Sequence, residues 1–362
     1  MYVVVGIAAH TDPKAKDEMM TRMRSRTALG RFGVGLGTVL GLVAGGTQGV
    51  IAQGAAPAPM VAREGFVTTV DGARLHYHML GAGRPTVIVP AALFLERDLA
   101  RLAHGRTVVF YDMRGRGRSS PIDDSARVSI DLDVSDLDAV RRHVGAERII
   151  PLGWSYLGMM VMRYAAAHPE RVERIVQIGP VGRVFGTRYP DSLVAHDGAS
   201  VVDSAAYAEL GRLRAEGLAQ RDPKADCERE YTVMRGRLVG DQRLAPRVPD
   251  LCDLPNEWPL RLESHQRWIF TSFARAEAPS WERFGALTVP VLTIHGTRDR
   301  NAPYGGGREW AAHLPDGRLL TVPGAAHMPW LDAPTFVYPA LERFLAGAWP
   351  RGAVRLRAEP AG

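Results

Sequence analysis

The sequence predicts an α/β protein in which a mostly parallel central sheet is flanked by helices and carries an inserted helical lid. Three observations point to it. Short apolar, β-branched runs alternate with stretches of helical spacing, the signature of a parallel sheet covered on both faces. Between about residues 181 and 285 that alternation stops; the chain becomes more charged, shows no strand-like run and contains helical pieces at 205–220 and 263–274. Lastly, the stretch GWSYLG, Gly153 to Gly158, sets a serine between an apolar run at 148–152 and the helix-like MMVMRYAAAHPE.

The elements follow in order. Residues 66–70, the turn Asp71-Gly72 and residues 74–80 read as a hairpin. His76 and His78 alternate on its second strand, but a metal needs a third ligand and none is evident nearby, so they read as strand residues and no metal site is expected. Residues 86–89 form a short strand ending in Pro90-Ala91-Ala92-Leu93, and residues 106–111 form another. The loop YDMRGRGRSS follows. It is not a dinucleotide fingerprint, because Ser120 stands at the third glycine position and Pro121 prevents a helix from opening there. Leu132, Leu137, Val140 and Val144 recur at near-helical spacing, with acids early, arginines late and Gly145 as a stop. Strands at 172–178, 290–295 and 318–322, a helix through Trp310 and a final amphipathic helix at 337–345 complete the pattern. The sheet domain is thus expected at 62–180 and 286–348, the lid at 181–285 and a tail at 349–362.

The 362 residues carry a net charge of +6, which would suggest nucleic acid were it spread over the chain. It is not. Residues 1–52 hold six of the 45 basic and three of the 39 acidic side chains, so the remainder is near balance, and no basic stripe with interleaved aromatics is present. Residues 22–52 read instead as an export signal: Arg22, Arg24, Arg26 and Arg31 precede an apolar, glycine-rich stretch that ends in Val50-Ile51-Ala52. The mature chain would begin near Gln53, followed by an Ala/Pro linker to residue 61, and would be periplasmic or secreted without a stable membrane span. The alternative is an anchor at 32–52, which is just long enough to span. Residues 1–21 read as an extension ahead of a start at Met20 or Met23. An oxidising compartment would permit a disulfide between Cys227 and Cys252 in the lid, with two free thiols as the alternative.

Ser155, Asp299 and His327 each stand in a loop directly after a strand, in the order nucleophile, acid, base. In a parallel sheet such loops share the carboxyl edge, where three distant residues can meet. Over roughly residues 62–348 the chain resembles the α/β-hydrolase fold, in the lid-bearing group similar to proline-iminopeptidase-like serine hydrolases. Four motifs carry the resemblance: YDMRGRGRSS, the elbow GWSYLG, HGTRD with the acid, and PGAAHMPWLDAP with the histidine. The resemblance implies Ser155 as nucleophile, His327 as general base and then acid, Asp299 as the orienting carboxylate, and the amides of Ala92 and Tyr156 as the oxyanion hole.

Two positions depart from the pattern. Leu157 takes the place of the small residue expected two after the nucleophile, so helix and strand are expected to approach less closely. Pro90-Ala91 replaces the usual His-Gly pair. The expected substrate is a small ester or amide, cleaved without a cofactor. Trp154 beside the nucleophile is a candidate for substrate contact. An aminopeptidase is the alternative, in which Glu257 or Glu263 would hold the ammonium of a short peptide; a non-catalytic ligand-binding protein on the same fold is the third reading.

Overall fold

The computed structural model of the protein describes residues 62–357, so the export signal, the extension and the linker lie outside the described residues. The chain begins with β1 (Ala62–Thr68) and β2 (Arg74–Leu80), an antiparallel hairpin. Its turn is longer than Asp71-Gly72 alone. Thr69 accepts the amide of Gly72 on its carbonyl and donates its own amide to the Ala73 carbonyl, which ends β1 at Thr68. Next come β3 (Thr86–Pro90), α1 (Ala92–Leu99) and β4 (Thr107–Tyr111). No expectation covered α1, whose first turn is apolar and carries no capping side chain.

The helix α2 (Ile130–His143) starts where the Ser129 hydroxyl accepts the Leu132 amide, with Asp131 and Asp133 in its first turn and Arg141 and Arg142 in its last. Then follow β5 (Ile150–Trp154), α3 (Tyr156–Ala167) and β6 (Ile175–Ile178).

Between β6 and the next strand the chain is helical. It runs through α4 (Ser204–Ala215), α5 (Leu218–Arg221), α6 (Pro223–Met234), α7 (Pro259–Arg275) and α8 (Trp281–Gly285). The single helix expected at 205–220 is broken at Gly217, whose φ of 86° only glycine adopts readily. Asp222 and Pro223 then restart the chain as α6: the Asp222 carboxylate accepts the Ala225 amide and proline occupies the first turn. Cys227 of α6 is disulfide-bonded to Cys252, with their Cα atoms 5.6 Å apart.

The sheet resumes with β7 (Val291–Gly296), α9 (Tyr304–His313) and β8 (Gly317–Val322), and the chain closes with α10 (Pro329–Asp332) and α11 (Pro334–Leu345). The eight strands stand in the order β1-β2-β4-β3-β5-β6-β7-β8. The hairpin and its junction with β4 are antiparallel, and all later pairings are parallel. The central strands β5, β6 and β7 are buried along their whole length, as continuous apolar runs covered on both faces must be. Because β5 through β8 run the same way, the residues after Trp154, Ile178, Gly296 and Val322 all emerge at one edge. Among the described residues no helix is long and apolar enough to cross a membrane.

Candidate active site

Ser155 links β5 to α3 with φ 60° and ψ −130°. Among the described residues it shares a positive φ, outside glycine, only with Ala91 at φ 63°. Such a conformation costs about 1–3 kcal/mol and persists where surrounding structure over-determines it. Here the Ser155 amide donates to the Ile178 carbonyl at 3.0 Å, and the Ser155 carbonyl accepts the Gly158 amide at 3.0 Å. The helix and strand do approach closely despite Leu157. A Cβ at Gly153 would lie 2.2 Å from the Leu157 carbonyl oxygen, and one at Gly158 would lie 2.8 Å from Pro180 Cβ. The two glycines supply the clearance, so no small side chain is needed at 157. Buried Gln177 fixes the first turn, donating to the Gly158 carbonyl at 2.9 Å while accepting from Thr293 at 2.9 Å.

Asp299 and His327 meet in a fully buried pair, Oδ2 to Nδ1 at 2.7 Å. The carboxylate is aimed by its other oxygen, which accepts the amides of Asn301 and Ala302 at 2.9 and 2.8 Å. His295 adds a second imidazole, with Nε2 at 3.2 Å from Oδ2 and 3.1 Å from the Ala302 carbonyl. Burial alone would raise the Asp299 pKa, but the charge on His327 and the hydrogen bonds from His295 and His327 hold it well below the usual carboxylate range. With Nδ1 held by Asp299, His327 keeps its other nitrogen, Nε2, buried and without a hydrogen-bond partner in the protein. Gly179, at the end of β6, packs on this pair: its φ is 49° and a Cβ there would lie 2.9 Å from Asp299 Oδ2. No side chain fits at that position.

Ala92 and Tyr156 are the first residues of α1 and α3, so their amides have no acceptor within their own helices. Two positive helix ends therefore face the same sheet edge. The start of α1 is held by Asp112, a buried acid whose role the sequence reading missed. Its Oδ1 accepts the Leu93 amide at 2.9 Å and its Oδ2 accepts the Arg118 amide at 2.9 Å. Burial pushes its carboxyl above the usual range, against the pull of those two amides. This explains part of the YDMRGRGRSS motif. Gly117 has φ 52°, and a Cβ there would lie 2.3 Å from Asp112 Oδ2. The spacing between an acid directly after β4, Asp112, and a glycine five residues on, Gly117, was the available signal.

Of the three expected contact residues, Trp154 and Glu257 are buried against other side chains of the protein. Trp154 is 1% exposed, and its indole donates to the His327 carbonyl at 2.8 Å, with the two rings 4.9 Å apart. It supports the histidine and offers little surface to a substrate. Glu257 is fully buried against Arg116, Oε2 to Nη2 at 2.6 Å, and also accepts the Gly117 amide at 2.8 Å. Its charge is already neutralised, which corrects the expectation that it holds a substrate ammonium. Glu263 is exposed to solvent on α7, with Arg214, Glu230 and Asp226 as charged neighbours. That is a cluster internal to the inserted helices, since Arg214 bonds Asp226 and Glu230. The Tyr156 hydroxyl meets Met113 Sδ at 3.0 Å and its ring lies 5.5 Å from Phe273, while Asp133, Arg116 and Glu257 are its charged neighbours. Phe185 and Phe270 form an aromatic cluster with Phe273. Among the described residues no group of His, Cys, Asp and Glu is arranged to hold a metal ion. His76 and His78 pair instead with Glu64 and Glu96.

Comparison with known proteins agrees with this architecture. The model of a family described as alpha/beta hydrolase fold matches residues 91–334. A bifunctional esterase/perhydrolase of Acinetobacter calcoaceticus is 27% identical over 284 residues, covering 75% of this chain and 96% of that protein. A probable proline iminopeptidase of Leptolyngbya boryana is 24% identical over 262 residues, covering 66% of this chain and 78% of that protein. The solved esterase of Exiguobacterium antarcticum superposes with a TM-score of 0.58 at 18% identity, covering 78% of this chain and 99% of the other. With the matched region spanning most of the sheet and the whole insertion, the chain belongs to the alpha/beta hydrolase fold family and is a hydrolase of that fold.

Proposed function

We propose that this protein is a serine hydrolase that cleaves a small ester or amide through an acyl-enzyme on Ser155. The observation that carries the reading is the buried Asp299–His327 pair, whose unpartnered Nε2 belongs to the same sheet edge as the strained Ser155 turn. In this mechanism His327 takes the Ser155 proton as the hydroxyl attacks the substrate carbonyl, and Asp299 stabilises the imidazolium that forms. The amides of Ala92 and Tyr156 receive the oxyanion. His327 then returns the proton to the leaving group, and a water admitted to the same nitrogen hydrolyses the acyl-enzyme.

The ester reading is favoured over the aminopeptidase one by Glu257. A substrate ammonium needs an acid with free charge, and the pairing with Arg116 removes the best-buried candidate. The aromatic cluster of Phe185, Phe270 and Phe273 beside Tyr156 suits an uncharged acyl or leaving group better than a cation. The similarity to an esterase/perhydrolase leans the same way, and that to a probable proline iminopeptidase keeps the second reading in the test.

The experiment is hydrolysis of a p-nitrophenyl acyl series beside aminoacyl naphthylamides, with fluorophosphonate labelling of the wild type and of Ser155→Ala. Ester turnover and labelling that both vanish in Ser155→Ala support the proposal, with kcat falling about four to six orders of magnitude because triad members act as a unit. A Ser155→Ala protein with near-wild-type turnover overturns it. We further propose export, with maturation near Gln53, on the charge and glycine pattern of residues 22–52. N-terminal sequencing of protein from the native envelope decides it, since a chain retaining residues 32–52 would be anchored instead.

A further inference from the structure

Residues 238–241 are one of the places where the insertion is joined to the sheet domain, and they bond residues next to both members of the Asp299–His327 pair. On the histidine side the contact is made by Asp332. Its Oδ1 accepts the amides of Gly240 and Asp241 at 2.9 and 3.1 Å, and its Oδ2 accepts the amide of Ala326 at 2.8 Å. One carboxylate therefore binds two residues of the insertion and the residue that immediately precedes His327. The amide that immediately follows His327, that of Met328, donates to the Leu238 carbonyl at 2.9 Å. Between them the backbones touch: a Cβ at Gly240 would lie 2.0 Å from the Gly324 carbonyl oxygen.

On the acid side the residue after Asp299 does the same. Arg300 has a buried side chain whose Nη1 donates to the Val239 carbonyl at 2.8 Å. Its Nε and Nη2 clamp Asp197, another residue of the insertion, at 2.9 and 2.8 Å. Consecutive residues 238 to 241 thus bond the chain on both sides of His327 and the residue next to Asp299. A cover that merely excluded water would need apolar contact; these are directional bonds to the Met328 amide and to the side chains of Arg300 and Asp332.

We propose that residues 238–241 form a strap that aligns His327 with Asp299, and that Asp332 is its principal positioning residue. The inference rests on the hydrolase reading of the Ser155, Asp299 and His327 site. Asp332 touches no reacting atom. It acts by fixing the backbone at Ala326, and through it the direction of His327 Nε2. Its carboxylate has three backbone donors to satisfy, and an amide side chain presents one oxygen and one NH2. Asp332→Asn therefore sets a donor against a backbone N–H and frees one end of the strap.

Displacements of about 1 Å cost on the order of a hundredfold in rate. For Asp332→Asn, kcat on p-nitrophenyl acetate should fall about 10- to 100-fold with KM changed less than about threefold. Fluorophosphonate labelling should slow by the same factor, and the loss should be equal across the acyl series, because the perturbed group is the base and the binding surface is untouched. Arg214→Ala serves as the control. It breaks the ion pairs with Asp226 and Glu230 that tie α4 to α6 inside the insertion and bonds none of residues 238–241. It should lower the melting temperature and leave kcat below that temperature unchanged.

Gly240→Ala reaches the same strap from the insertion side, through the clash with Gly324, and should reproduce the kcat-specific loss if Asp332→Asn does not fold. Wild-type kcat in the folded variant, or a loss that grows with acyl length, overturns the proposal. Ser155→Ala run in parallel separates the two readings. If it retains turnover, the hydrolase reading fails; if it is inert while Asp332→Asn and Gly240→Ala turn over normally, only the strap fails.

Discussion

Replacing Asp299 by asparagine changes one atom and removes one charge, and the surroundings dictate how the new side chain must sit. Two backbone amides, those of Asn301 and Ala302, donate to Oδ1, so the asparagine oxygen is held there and its NH2 is turned toward His327 Nδ1. An NH2 at that place donates to Nδ1, which forces the ring proton onto Nε2. The nitrogen that should accept the Ser155 proton then already carries one. The imidazolium also loses its counter-charge. At an effective dielectric of about 20, a pair of charges about 4 Å apart contributes about 4 kcal/mol, or about three orders of magnitude in rate. With the tautomer fault added, kcat for a p-nitrophenyl ester should fall about 10⁴-fold. KM should change little, because Asp299 is wholly buried and meets no substrate. The assay is steady-state ester hydrolysis with single-turnover fluorophosphonate labelling, and circular dichroism to show that the fold is kept. A folded Asp299→Asn protein within tenfold of wild type, while Ser155→Ala is inert, would refute the assignment of the acid.

Other predictions concern stability. Glu257→Ala leaves the buried Arg116 charge unpaired and the Gly117 amide without its acceptor, so unfolding free energy should drop by about 3–5 kcal/mol in urea denaturation; unchanged stability with selective loss of aminoacyl naphthylamide hydrolysis would restore the aminopeptidase reading. Burial, with the nearby Arg116 charge, pushes the His265 pKa down to about 3, against about 6.5 in an unfolded chain. The unfolded state therefore binds more protons between those values, so this contribution is full above about pH 6.5 and is lost as pH falls toward 3, with a slope of up to about 1.4 kcal/mol per pH unit. Urea curves at pH 7.5 and 5 should show that slope shrinking in His265→Gln, and an identical slope in the variant would sink it. Denatured, unreduced protein should titrate no thiol, and the double Cys227→Ser, Cys252→Ser variant should lose about 2–4 kcal/mol, since the bond spans 25 residues of sequence; two reactive thiols would contradict it.

The sequence by itself determined the parallel sheet and the three loops that bear Ser155, Asp299 and His327. These are local properties: a β-branched run, a turn that requires glycine and a helical period are written in adjacent residues, and parallel strands place their following loops at one edge. The inserted segment was legible as helical but not in its breaks. Its helices are short and charged, and their boundaries rest on single residues such as Gly217 and Asp222, which periodicity does not register. Only the tertiary structure decided what the remaining polar residues do. Glu257 reads equally well as a substrate anchor or an ion-pair partner until Arg116, 141 residues away, is brought against it. Trp154 beside the nucleophile invites a role in binding until its indole is found under His327. Asp332 stands near the histidine in sequence, yet its carboxylate is committed to amides up to 92 residues away. A buried charge or donor takes whichever partner packing delivers, and that pairing is a property of the folded chain with no local trace in composition or spacing.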